Sequence, residues 1–96
     1  MKSSTDSIDV RHNTAEHRFE AEFEGRLSVA DYVLREGEMT MTHTYTPPEI
    51  RGRGIAEKLV RAALEHAREQ KWRVVPACSY VDRFIQRHPE FQSLVS

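Results

Sequence analysis

The chain has 96 residues, 39% of them hydrophobic and 30% charged, with a formal net charge of −1. That length suits one domain with a small core and excludes a catalytic domain joined to a separate substrate domain, and the near-zero charge argues against a general polyanion binder. One cysteine, Cys78, excludes an internal disulfide framework and a multi-cysteine zinc site, and suits a reducing cytoplasm.

Met1–Ser7 is polar, has no apolar signal core, and reads as a flexible tail ahead of a single domain over residues 8–96. No apolar run is long enough to span a membrane. Ile8-Asp9-Val10 alternates as a short strand would, and Asn13–Glu16 reads as a turn. From Arg18 to Glu24 the alternation predicts a strand with Phe19, Ala21 and Phe23 inward and the charged residues outward. Glu24-Gly25 is a hairpin signal, Leu27–Leu34 the returning strand, and Glu36-Gly37 the next turn. Glu38–Thr46 continues the meander. Its alternation predicts Met39, Met41, His43 and Tyr45 on one face, and Thr40, Thr42, Thr44 and Thr46 on the other.

Pro47-Pro48 stops that strand, because proline donates no ladder hydrogen bond. Ile55, Ala56, Leu59, Val60, Ala63, Leu64 and Ala67 recur at helical spacing, so a helix runs from Ile55 to about Lys71. Glu57 and Arg61 stand as an i,i+4 pair on its exposed face. Trp72–Ala77, with Val74-Val75, reads as a short buried strand. A second helix follows over Ser79–Arg87, with Ser79 as N-cap and Val81, Phe84 and Ile85 inward. His88-Pro89 ends it, and Phe91, Leu94 and Val95 pack the tail onto the core. The fold class is therefore mixed α/β (α+β): an antiparallel meander, then a parallel, right-handed β-α-β unit and a short C-terminal helix.

Charge is unevenly placed. Residues 1–46 carry five Lys/Arg against nine Asp/Glu, and residues 47–96 carry nine against six. The strongest chemical signal lies in the basic half, in Arg51-Gly52-Arg53-Gly54-Ile55-Ala56. This stretch joins a strand to the long helix. A helix N-terminus offers unpaired N–H groups and the positive end of the dipole, which together suit an anion. Gly52 and Gly54 let the backbone approach a phosphate closely, and Arg51 and Arg53 add charged donors. A dinucleotide fingerprint would need glycine where Glu57 stands, and a P-loop would need four residues between its glycines. The five histidines show no metal-ligand spacing, so no metal is expected.

Arg51-Gly52-Arg53-Gly54-Ile55-Ala56 resembles the Gcn5-related N-acetyltransferase signature, Arg/Gln-x-x-Gly-x-Gly/Ala, at each fixed position. His43-Thr44, the helix over Ile55–Lys71, and the run from Val74-Val75-Pro76-Ala77-Cys78 to His88-Pro89-Glu90-Phe91 are similar to the compact single-domain branch of that family. The likeness extends from about Ile8 to Val95.

The resemblance implies acetyl-CoA as cosubstrate. The strands ending near Thr46 and Cys78 should splay into a V, with the pantetheine arm along His43, Thr44 and Tyr45. The pyrophosphate should rest on N–H groups of Gly52, Arg53, Gly54, Ile55 and Ala56. An amine acceptor would approach from the other side of the V. Larger family members carry two helices between their first strands. The Asn13–His17 link is too short for them, so the acceptor side should be nearly bare. A protein, peptide or polyamine-like amine then fits better than a small enclosed metabolite, with the chain a monomer or weak dimer.

Cys78, where a strand gives way to a helix, is a candidate acetyl-accepting nucleophile, and equally a small buried hydrophobe. His43 is a candidate base for the amine, or a histidine packed on the sheet. Tyr45 and Tyr80 are candidates to protonate the CoA thiolate, beside ordinary packing. Arg83, Arg87 and His88 suit the CoA 3′-phosphate by charge, though a solvated helix face explains them as simply. The expected function is N-acetyl transfer. The alternative is a CoA-binding sensor or subunit without efficient turnover. Nucleic acid is a poor partner for so neutral a surface.

Overall fold

The computed structural model describes residues 8–95. The expected tail, Met1–Ser7, lies outside them. In chain order the elements are β1 (Arg11–Asn13), β2 (Arg18–Phe23), β3 (Arg26–Arg35), β4 (Glu38–Tyr45), a 3₁₀ turn (Pro48–Ile50), α1 (Ile55–Gln70), β5 (Arg73–Pro76), α2 (Ser79–Arg87) and a closing 3₁₀ segment (Pro89–Leu94). The strands form one sheet in the order β1-β2-β3-β4-β5. Neighbours from β1 to β4 are antiparallel, and β5 joins β4 in parallel after the α1 crossover. The mixed α/β class read from the sequence is the class observed.

The core fills one face of the sheet. Phe19, Ala21, Ala30, Tyr32, Met39, Met41 and Val74 meet Leu59, Val60, Ala63, Leu64 and Ala67 of α1 there. Val81, Phe84, Ile85, Phe91 and Leu94 close the same core from the C-terminal side. Among the described residues the other face carries no helix, so Val33 (54% exposed), Tyr45 (45%) and Val75 (37%) look outward. Val74-Val75, expected to be buried together, is divided accordingly: Val74 is buried and Val75 lies on the open face opposite Thr40.

Several boundaries depart from the sequence reading for local reasons. The first strand is Arg11–Asn13 rather than Ile8–Val10, because the ladder pairs Arg11 with Glu20 and Asn13 with Arg18. Cys78, not Ser79, occupies the N-cap of α2. Glu57 and Arg61 do not pair with one another. Arg61 reaches Glu90 at 3.6 Å, and Glu57 faces His88 at 4.0 Å, because the end of α2 and the closing 3₁₀ segment offer partners across the helix. The largest departure is in β4. Asp31 pairs with His43 but Tyr32 pairs with Met41, so Thr42 is an extra residue, a β-bulge.

Glu20, expected on a solvated face, is buried at 6% exposure beneath two arginines. Arg11 Nη2 and Arg18 Nε donate to its two oxygens at 2.8 and 2.7 Å, and Asn13 Nδ2 adds a third bond at 3.2 Å. Hydrogen bonds from Arg11 and then Arg18 outweigh burial and hold the carboxyl down at about 2, from an ordinary 4.5. A depressed folded-state value stabilises the fold above the ordinary value and is lost as pH falls through the depressed one. Acid unfolding followed by circular dichroism should therefore show stability falling between about pH 4.5 and 2. Glu20→Gln should lower stability at neutral pH and flatten that limb; an unchanged acid profile would remove Glu20 as its source.

Candidate active site

The parallel pairing of β4 and β5 runs only from Glu38–Arg73 to Met41–Pro76. Beyond it, Cys78 N–H still donates to Met41 O at 2.9 Å, after which the chain turns into α2. The second half of β4 therefore has no β5 partner, and a cleft opens between it, the 3₁₀ turn and the start of α1. Its volume is about 390 Å³, and Thr44, Tyr45, Thr46, Ile50, Arg51, Gly52, Gly54, Ile55, Ala56, Glu57 and Tyr80 line it.

Gly52 (φ +80°) and Gly54 (φ +77°) take the left-handed conformation that glycine adopts without a Cβ penalty. Gly54 is the N-cap of α1 and no side chain caps the helix. Among the described residues, no turn or loop hydrogen bond is donated by the N–H groups from Gly52 to Ala56. A Cβ built on either glycine meets nothing within 4 Å. The backbone donors thus face open space at the positive end of a 16-residue helix, which is the arrangement an anion requires. Arg51 lines the cleft and is braced by its Nε bond to Thr46 O at 2.8 Å. Arg53 turns away, its guanidinium 5.2 Å from the Phe23 ring centre and 3.8 Å from Glu24. Only its backbone faces the anion turn.

The bulge at Thr42 decides how β4 presents its side chains. Met39 and Met41 are fully buried, but from His43 onward the alternation is reversed. Thr44 now sits opposite buried Ala30, while His43 and Tyr45 sit opposite Asp31 and Val29 and are exposed. The sequence reading placed His43 and Tyr45 with the core methionines; the extra residue moves them to the open face. Thr44 Oγ1 lies 3.7 Å from Cys78 Sγ, so the cleft-lining threonine touches the candidate nucleophile. Cys78 and His43 thus belong to opposite faces of the V. Asp31, directly across the ladder from His43, carries no signal in the sequence, because only the shifted register brings the two together.

Cys78 is half-buried at the N-terminus of α2. Burial pushes its thiol up, but the N–H of Val81, the Thr44 hydroxyl and the N–H of Tyr80 together outweigh burial. The net shift is downward from the ordinary value. A lowered pKa enlarges the thiolate fraction at neutral pH, and the thiolate is the nucleophile. Tyr80 lines the cleft, and burial, with the nearby Glu57 charge, raises its phenol pKa, so it remains protonated and able to donate. Among the described residues, no group of three or more His, Cys, Asp or Glu is arranged to hold a metal ion. Among the described residues, no helix is long and apolar enough to cross a membrane.

Comparison with known proteins agrees with this geometry. Residues 18–94 match the family model described as GCN5-related N-acetyl-transferase. The chain is 30% identical over 86 residues to Protein NATD1 of Bos taurus, spanning 85% of this chain and 75% of that one. It is 28% identical over 87 residues to Protein NATD1 of Xenopus tropicalis, spanning 86% and 79%. The fold superposes on the NMR structure of a GCN5-like protein from Staphylococcus aureus with a TM-score of 0.72 at 24% identity, covering 92% of this chain and 87% of that one. The uncapped glycine turn at the head of α1, the divergence of β4 from β5, and a family match across most of the chain converge: this protein belongs to the GCN5-related N-acetyltransferase family.

Proposed function

We propose that the chain transfers an acetyl group from acetyl-CoA to an amine, with Cys78 as the acyl-accepting thiol. The observation that supports this most directly is the continuity of the cleft. It runs from Thr44, in contact with Cys78 Sγ, to the uncapped N-terminus of α1. In this reading the N–H groups from Gly52 to Ala56 hold the CoA pyrophosphate, and Arg51 adds a charged donor. The backbone of His43, Thr44 and Tyr45, free of β5, pairs with the pantetheine arm. The Cys78 thiolate attacks the thioester carbonyl carbon and forms a new thioester at Sγ. The CoA thiolate leaves and takes a proton from Tyr80. A neutral amine then attacks acetyl-Cys78, Sγ departs as thiolate, and the proton released from nitrogen passes to His43, directly or through water.

His43 suits that last role because the bulge turns it to the open face, the side from which an acceptor approaches. That face lacks covering helices, which favours an amine on a protein, a peptide or an extended polyamine over a small enclosed metabolite. The same bareness supports a second reading, a CoA-holding subunit that turns over slowly or not at all. The need for a reduced thiol suits the cytoplasm.

Mass spectrometry with acetyl-CoA separates these readings. A CoA adduct under native conditions, together with a gain of one acetyl mass on Cys78 after denaturation, is the expected result. An adduct without acetylation that also fails to acetylate a panel of peptide amines would support the CoA-holding subunit instead. The absence of any adduct would remove acetyl-CoA from the reading altogether.

A further inference from the structure

β1 is an outer strand of the sheet and only three residues long. So short a ladder holds weakly by itself, and the strand depends on its side chains. Alternation sends Arg11 and Asn13 to the open face and His12 to the core face. On the open face both donate to the Glu20 carboxylate, at 2.8 and 3.2 Å. On the core face the His12 ring stacks on Phe19, with centroids 4.1 Å apart and planes 8° from parallel. His66 of α1 meets that ring edge-on at 4.6 Å, and meets Trp72 in turn at 5.2 Å. His17, in the turn before β2, lies edge-on to Tyr32 at 5.8 Å.

The core-face contact requires a neutral imidazole. His12 Nε2 is bonded to the Tyr32 hydroxyl. Tyr32 is buried and burial raises its pKa, so the phenol keeps its proton and donates it to Nε2. A proton on Nε2 would leave the phenol hydrogen buried without an acceptor, which is costly. It would also add a charge to the cluster. The titratable groups facing His12 are Tyr32 from β3, His66 from α1 and His17 from the turn, while β2 offers the uncharged Phe19. Among the described residues no carboxylate pairs with His12 to offset that charge. Burial first, then the charges of His66 and His17, push the imidazole down from its ordinary 6.5.

We propose that β1 is an acid-released strap, clasped on one face by a neutral His12 and on the other by an ionised Glu20. Both clasps fail in the same direction. A released His12 titrates near 6.5, above its value when clasped, so release takes up a proton and the hold weakens as pH falls below 6.5. Glu20 holds on further, since its clasped carboxyl stays ionised down to about 2 where a released one titrates near 4.5. The core-face clasp therefore gives first. Release bares the outer edge of β2, with its unpaired N–H and C=O groups, and uncovers Phe19. Such an edge accepts an added strand. The V lies at the far side of the sheet, beyond β3, so the strap does not depend on the reading of the cleft.

Amide hydrogen exchange of the whole chain between pH 7.5 and 5, followed by NMR and corrected for the intrinsic rate at each pH, tests this. Protection of the β1 amides, and of the β2 amides that face them, should fall on acidification. The limit is about 30-fold at pH 5, set by one proton taken up at a released value of 6.5. Protection in β3, β4 and α1 should hold. His12→Gln, whose amide accepts from Tyr32 without titrating, should lose most of that pH dependence. His12→Phe, which keeps the stack on Phe19 and does not titrate either, should do the same. Protection of β1 that stays constant from pH 7.5 to 5 in the wild type would overturn the strap. An equal fall in every element would overturn it too, since it would mark global unfolding. So would a pH-dependent fall that persists in both His12 variants.

Discussion

Gly54→Glu is expected to abolish CoA binding while leaving the chain folded. The substituted side chain would stand at the N-cap of α1, where the unpaired N–H groups converge. A Cβ there meets no atom within 4 Å, so the first atom of the new side chain displaces nothing. The remaining cost to folding is the left-handed backbone at φ +77°, about 1–2 kcal/mol for a non-glycine residue. In the anion turn, however, the glutamate carboxylate would stand where the pyrophosphate should lie. Like charges brought together cost several kcal/mol, so affinity should fall by about 100-fold or more. Gly54→Ala separates the two effects, because it carries the same backbone cost without the charge. It should lose some stability but retain most of the binding. Thermal unfolding and calorimetric titration of both variants check this. Undiminished affinity in a folded Gly54→Glu protein would end the pyrophosphate assignment.

Cys78→Ala should leave CoA affinity intact and lower acetyl transfer by about 100-fold or more, the scale of losing one positioned catalytic group. Binding is spared because the N–H donors from Gly52 to Ala56 do not depend on the thiol. On the proposed covalent route transfer would be lost, because Thr44 and the start of α2 could no longer present a thiolate to the thioester. The pH dependence of alkylation gives an independent reading of the same residue. The N–H groups of Val81 and Tyr80 and the Thr44 hydroxyl outweigh burial, so Cys78 should react with iodoacetamide at lower pH than an unperturbed thiol does. Thr44→Val, which removes the hydroxyl 3.7 Å from Sγ, should move that profile upward. A Cys78→Ala enzyme that transfers acetyl at the native rate would exclude the covalent route and leave direct transfer to the amine.

Much of the fold was legible in the residues. The alternation of Phe19, Ala21 and Phe23, the turn signals at Glu24-Gly25 and Glu36-Gly37, and the helical spacing from Ile55 to Ala67 each depend on neighbours a few positions away. Such local patterns survive into the structure because every element must bury one side. The glycine turn was legible for the same reason: Gly52 and Gly54 stand at the head of an amphipathic helix and take the left-handed backbone that glycine adopts readily. Three features were not legible. The bulge at Thr42 reverses the presentation of His43, Thr44 and Tyr45, and it exists only because β3 and β4 pair in a shifted register. Glu20 is buried by Arg11 and Arg18, which reach it only once β1 lies against β2. Arg53 leaves the anion turn for Glu24 and Phe23, a partnership set by how the β2–β3 hairpin sits beside the head of α1. The sequence by itself thus determined most of the elements, the class of fold and the glycine turn at the head of α1, all products of short-range periodicity and backbone chemistry. Only the tertiary structure decided which side chains face the V, because register and cross-strand neighbours arise between residues far apart in the chain.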